Sequence, residues 1–390
     1  MTSTRDAQNS PRVFVIGGDP DVLAFVMEEV AACGILVEGV TIDRISTMPE
    51  RPFDLVSFGA GVGLELRREL EARFRHFNPQ TRFLRTYAPY AASQIVAAVR
   101  SPNPAQQVDL DAYFRRIGYA GPKVPTIETL RALQERHLAS IPFEAIDVLL
   151  GRGIDISPDA VDAKLIGTRR GGYCYEQNGL FKRVLQTIGF EVDALVATVR
   201  WMAKPGDVPP PRTHMALRVT IEGTPWLVDV GFGSSVPPAP LRLDAREPQS
   251  TPHGRHRIIP LGAGQLVQAE VARRWVPLYD LSNEPLLDGH YELFNWYTST
   301  HPGSHFGQHL IVARTTPEAR YSLLDGRFSA RFADGRMERQ YLDTGGIRRA
   351  IEEIFLIRSD ASWEAALTDA VERTEKREGA SLIEGDREPG

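Results

Sequence analysis

The sequence predicts an α+β protein preceded by an additional N-terminal α/β domain of βα repeats with a parallel sheet. Three observations carry this reading. Strand-like and helix-like runs alternate four times within the first hundred residues. A polar stretch with two prolines, SPNPAQQ (residues 101–107), then interrupts the pattern as a linker. Beyond it the pattern segregates: helical text over 108–190, β-like text over 191–243, and a mixture over 244–360.

In order, RVFVIGG (12–18) is apolar throughout and reads as a buried parallel strand. DPDVLAFVMEEVAACG (19–34) reads as a helix, with Asp19 as N-cap, Pro20 in the first turn and Gly34 past the end. Strands are expected in 35–42, 53–59 and 82–88, and helices in 64–77 and 91–99. Together these make one domain over 1–100. Helices follow at 126–139 and 178–187. In MALRVTIEGTPWLVDVGF two β-branched runs flank Glu222–Gly223–Thr224–Pro225, a hairpin signal. Further helices are expected over 346–355 and 362–375. The C-terminal segment 361–390 ends in a tail, 377–390, that reads as disordered.

With 390 residues, 42% hydrophobic and 24% charged, the chain has enough apolar material for real cores, which excludes a disordered chain or a small disulfide scaffold. The 45 basic and 50 acidic residues leave a net charge of −5, so no basic field points to nucleic acid. The two cysteines, Cys33 and Cys174, support neither a disulfide framework nor a Cys-rich zinc site, and a reducing cytoplasm fits them best. The polar start is unlike a signal peptide, and the uncharged stretch 86–99 is too short and polar to span a bilayer. A cytoplasmic protein with small-molecule partners, and neither nucleic acid nor membrane, is expected.

The chemistry concentrates in RRGGYCYEQNGLFKRVLQTIGF (169–190). Leu180, Phe181, Val184, Leu185 and Ile188 fall on one helical face, with Gly189 as the stop. Cys174 stands at the front of that helix, after a glycine pair that permits close backbone approach. A thiol there meets the positive end of the helix dipole, which favours the thiolate. Cys33 has no such context and reads as core. A nucleophilic thiol needs a base, and the base an orienting acid. His214 in RTHMALRV and Asp229 in WLVDVGFG sit at ends of runs joined by one hairpin, so antiparallel pairing brings them together. His301, His305 and His309 have a metal-like spacing, but Pro302, Gly303 and Gly307 interrupt it, and no metal is expected.

RRGGYCYEQNGLF, THMALRV and WLVDVGFG, in that order, resemble the signature segments of the arylamine N-acetyltransferase family. HLASIPFEAI, VDLDAYFRRIGYAGP, RRWVPLYDLSNEP and NWYTSTHPGSHF resemble further blocks of it, over about 108–357. The resemblance implies a papain-like helical subdomain, a β-barrel and an α/β lid. It implies acetyl-CoA as acyl donor, an arylamine or arylhydrazine acceptor, and ping-pong transfer through acetyl-cysteine. Cys174 would be the nucleophile, His214 the base and Asp229 its orienting acid. Thr213, Gly231, Phe232 and Gly233 would line the acyl-CoA cleft, and Arg170 would pair with Glu144 as a brace. Ala145 stands where the family carries Asn.

The N-terminal domain resembles a degenerate Rossmann or receiver unit. Its GGDPDV turn lacks a complete G-x-G-x-x-G, Asp43 is a lone acid after the second strand, Ser57–Gly59 replace the receiver's phospho-accepting Asp, and Asp54 sits at the wrong end of the strand. Packing, dimerisation or a protein contact is its expected role. Two other readings compete for the whole: an amide synthase that releases a carrier-bound polyketide with the same triad, and a non-catalytic ligand sensor.

Overall fold

A computed structural model describes residues 11–59, 61–100, 108–201, 203, 208 and 210–385; the expected linker at 101–107 lies outside the described residues. The chain divides into two compact units, Met1–Pro104 and Ala105–Gly390.

In the first unit the apolar strand Arg12–Gly17 is central. It pairs in parallel with Leu36–Thr41 on one side and Leu55–Gly59 on the other, and the latter pairs in parallel with Arg82–Thr86. Alternate side chains feed opposite faces. Val13 and Val15 pack with Leu23, Val26, Val30 and Ile95, whereas Phe14 and Ile16 pack with Phe53, Leu70 and Phe74. This two-sided burial explains why the strand reads as a continuous apolar run. Asp19 caps the helix Pro20–Ala32 by accepting from the Asp21 and Val22 amides at 2.9 and 3.0 Å. Cys33 corrects the sequence expectation, because it is exposed. The helix ends at Ala32, and Cys33 is the capping residue before Gly34 turns the chain at φ +79°, so its thiol lies beyond the buried stripe. Asp54 accepts from the Arg12 amide at 2.8 Å, at the start of the strands and away from the crevice end. Ser57 is sealed in the core, 2.9 Å from the Thr86 hydroxyl.

The second unit holds two antiparallel sheets. The larger runs Gln249–Thr251, Gly254–Leu261, Gly264–Val271, Arg274–Pro285, Glu191–Val199, Arg212–Ile221, Thr224–Val228, Leu241–Arg242. The sheet curls into a near-barrel, and across its two edge strands Gln249 accepts from the Arg242 amide at 2.7 Å and donates to the Arg242 carbonyl at 3.0 Å. The smaller sheet, of five strands, ends on Phe143–Glu144, paired with Ile311–Thr315. The expected hairpin is tighter than the four-residue signal. Glu222 and Gly223 alone turn, both with positive φ as a type I′ turn demands, while Thr224 and Pro225 already pair with Ile221 and Thr220.

The helix Glu364–Gly385 corrects the expected end at 375, since most of the tail read as disordered is helical. Its anchor is Asp325, fully buried on the smaller sheet. Asp325 takes Arg373 at 3.0 Å, Arg377 at 2.9 Å and His309 at 2.7 Å, and accepts from the Leu310 amide at 3.0 Å. A local reading misses partners about fifty residues away. Among the described residues no helix is long and apolar enough to cross a membrane. Replacing Asp325 by Ala strands these donors and is expected to cost about 2–3 kcal/mol in urea unfolding; a loss under about 0.5 kcal/mol would show that Asp325 does not anchor the helix.

Candidate active site

The helix Cys174–Ile188 begins at the thiol itself, with Tyr173 as N-cap. Glu176, three residues on, reaches back to accept from the Tyr173 amide at 3.0 Å, which is the reciprocal half of a capping box. The preceding glycines are sterically required. A Cβ on Gly171 would lie 2.1 Å from the Pro142 carbonyl oxygen, and one on Gly172 would lie 2.7 Å from Glu176 Oε2.

Hairpin register supplies the other two groups. Leu217 faces Val228, so one further step sets Asp229 opposite Ala216 and diagonal to His214 on the same face. His214 Nε2 and Asp229 Oδ2 are 2.7 Å apart, and both residues are buried. Cys174 Sγ donates to the Thr213 carbonyl oxygen at 3.7 Å, and Cys174 is among the groups that act on the His214 imidazole. Burial alone pushes the His214 imidazole down. The charge and hydrogen bond of Asp229, joined by Cys174, reverse this and hold it up at about 10. The arrangement therefore sets a buried imidazole, raised by Asp229, beside the start of the helix that carries Cys174.

The expected cleft residues lie around this group. A Cβ on Gly231 would stand 2.6 Å from Cys174 Cα, so only glycine permits the approach. The Phe232 ring packs edge-on against His214 at 4.9 Å, and Gly233, at φ +65°, turns the chain against the Phe143 ring. Thr213 contributes its carbonyl beside the sulfur.

Sequence reading missed several supporting residues. Asn178, fully buried one turn after Cys174, donates to Asp229 Oδ1 at 3.0 Å and to the Met215 carbonyl at 2.7 Å, and accepts from the Val230 amide at 3.0 Å. It joins the thiol's helix to both strands, and its i, i+4 spacing from Cys174 was a usable signal. Gln134 donates to the Asp229 carbonyl at 3.2 Å, and the Tyr279 ring lies 5.0 Å from His214. Both come from distant segments that no local pattern connects to the site.

Behind the helix start lies a buried ionic cluster. Arg170 pairs with Glu144 at 2.7 Å and Asp147 at 3.0 Å, and Lys164 with Asp147 at 3.0 Å and Glu176 at 2.8 Å. Burial raises Glu176 to about 7, against the pull of Lys164. Ala145 is buried at the start of the short helix Ile146–Leu149, whose first amide donates to Glu144 Oε2 at 2.8 Å. His305 and His309 lie with rings 4.6 Å apart, while His301 stacks on Tyr297. No group of three or more His, Cys, Asp or Glu among the described residues is placed to hold a metal.

A family model described as N-acetyltransferase matches residues 126–363, wholly within the second unit. The arylamine N-acetyltransferase of Mycolicibacterium smegmatis is 45% identical over 220 residues, covering 55% of this chain and 80% of that protein. The arylamine N-acetyltransferase / N-hydroxyarylamine O-acetyltransferase of Salmonella typhimurium is 40% identical over 233 residues, covering 59% and 82%. The solved structure of Mycobacterium marinum arylamine N-acetyltransferase in complex with CoA aligns with a TM-score of 0.64 and 36% identity, over 68% of this chain and 99% of that one. The chain belongs to the arylamine N-acetyltransferase family.

Two outcomes follow from the geometry. Gly231→Ala pushes the strand end from the thiol's helix and is expected to lower acyl transfer by about 100-fold or more; retention of more than about a third of the rate would contradict the close-approach argument. Because the folded His214 stands above the ordinary imidazole value, its stabilisation is complete below about pH 6.5 and drains as pH rises toward about 10. The stability gap between the wild type and Asp229→Asn, followed by urea unfolding, should therefore narrow over that range. A constant gap would overturn the assignment.

Proposed function

We propose that this chain is an acyltransferase that moves the acetyl group of acetyl-CoA to arylamines or arylhydrazines by a ping-pong route through acetyl-Cys174. The observation that carries the reading is the buried convergence of Cys174, His214 and Asp229 at one helix start, in a chain of this family. The arylamine N-acetyltransferase activity for which its relatives are named, and the CoA complex of one of them, support the donor and acceptor classes.

In this reading the resting site is a thiolate–imidazolium pair. Sγ attacks the thioester carbonyl, the bond from carbon to the CoA sulfur breaks, and His214 passes its proton to the departing CoA thiolate. The amine nitrogen then attacks acetyl-Cys174 and yields its proton to His214, and the carbon–Sγ bond breaks to restore the pair. Asp229 keeps Nε2 engaged, so that Nδ1 serves the sulfur and then the nitrogen. The tetrahedral oxyanion is assigned to amides of the helix's first turn, which lack intrahelical acceptors. Gly231, Phe232, Gly233 and Thr213 line the approach of the donor. For the N-terminal unit we infer a packing or partner-binding role, since Ser57, where a receiver would carry its acceptor, is buried against Thr86.

Steady-state kinetics with acetyl-CoA and a panel of anilines and hydrazides test this. Acetylated product with parallel double-reciprocal lines is expected, and Cys174→Ala should lose at least about 1,000-fold in rate. Refusal of every simple amine, with acceptance of a carrier-bound thioester, would point to the amide synthase. Unchanged activity in Cys174→Ala would end both thiol readings.

A further inference from the structure

Away from the thiol, the strands Gly254–Leu261 and Ala319–Leu324 bury a concentration of positive and donor groups, and among the described residues Arg320 makes no salt bridge. Arg320 is 92% buried by its 8% exposure, yet carries a guanidinium. Its Nη1 donates to the Ser234 carbonyl at 3.2 Å, while Nε and Nη2 are buried without an acceptor among the described residues. His256 is 1% exposed, and neither ring nitrogen has a hydrogen-bond partner among the described residues; the Gly254 carbonyl lies beside the ring but outside hydrogen-bonding geometry.

The two residues belong to one neighbourhood. His253, three residues before His256, meets the Thr316 carbonyl at 2.6 Å, and Thr316 is tied to Ala319, next to Arg320, by an amide bond of 2.9 Å. Burial depresses both histidines first, and the charge of Arg320 adds to it in each case, which agrees with their proximity. Arg331 stands directly opposite Arg320 in the strand pairing, a like-charge pair that is unfavourable by itself. The nearby acid, Glu318, is exposed and turned toward Thr316.

A buried guanidinium without a counter-charge is strongly disfavoured, and unmet buried donors each add to the cost. We propose that Arg320 and His256 form a binding site for a small monovalent inorganic anion of the chloride class, which completes the coordination of Arg320 Nε and Nη2. A monatomic ion asks the least space beside a side chain with so little exposure. The occupant has a structural consequence near the thiol. Arg320 holds Ser234 within the turn Gly233–Ser235, which directly follows the Gly231 contact with Cys174. An anion that fixes the guanidinium thereby steadies that turn.

The test uses the full chain in sodium chloride and in sodium gluconate at equal ionic strength. The thermal midpoint is expected to be higher in chloride by about 2 °C or more, and to rise further with chloride concentration. Arg320→Met should abolish the difference, and His256→Leu should weaken the apparent chloride affinity several-fold. Should Arg320→Met fail to fold, chlorine NMR line broadening on the wild type decides, with excess broadening that bromide displaces as the expected result. Equal midpoints in the two salts together with no displaceable broadening would overturn the site and leave Arg320 solvated by water alone. Neither readout depends on acetyl transfer, so failure here leaves the proposed function untouched.

Discussion

The start of one helix and the end of one strand approach so closely that a methyl group has no room between them. Cys174 Cα would lie 2.6 Å from a Cβ on Gly231, and the rest of the candidate site follows from that contact. With the backbones this near, Asn178 reaches from the helix to Asp229 and to the Val230 amide, and Asp229 Oδ1 in turn accepts from the Gly231 amide at 2.8 Å. The Asp229 carboxylate is thus fixed by two neighbours, Asn178 and the Gly231 amide, before it meets His214, so the imidazole has one orientation in which Nε2 is satisfied. Phe232 and Tyr279 pack about its ring and restrict rotation. Geometry of this kind costs little to reorganise during a reaction, which is the physical meaning of a preorganised site.

The same logic operates behind the helix. Gly171 and Gly172 let the chain pass under the Pro142 carbonyl and the Glu176 carboxylate, and Glu176 then caps the helix on which the thiol sits. Lys164 and Arg170 bind three carboxylates in a region that solvent scarcely reaches. Removing a single member would leave an unpaired buried charge, so the cluster resists piecemeal change even where its net contribution to stability is small. His137 extends the brace. Fully buried and pushed down to about 4 by burial, it stays neutral between the Tyr113 hydroxyl at 2.8 Å and Gln177 Oε1 at 2.6 Å.

How much of this was legible depended on sequence distance. The alternating strand and helix text of the first unit, the helix behind Cys174 and the hairpin between His214 and Asp229 are all local, and periodicity with turn chemistry exposes them. Asn178 was within reach of the same reasoning, through its place one turn from the thiol. Gln134, Tyr279 and Lys164 were not, because their roles exist only after the barrel strands and the helices have packed. Cys33 was misjudged for a related reason: an apolar residue at a helix end takes its burial from where the helix stops, which Ala32 and Gly34 settle within a single residue. The C-terminal helix was cut short because Arg373 and Arg377 gain their stabilising partner, Asp325, from a distant strand turn.

In the proposed reaction, acyl transfer passes through one sulfur held by this scaffold. Intact-mass spectrometry of the full chain after brief exposure to acetyl-CoA tests it most directly. A single added acetyl group is predicted, lost on addition of an arylamine and never formed by Cys174→Ala. Folded, amine-acetylating protein that shows no such adduct under rapid quenching, or an adduct that persists in Cys174→Ala, would contradict the account.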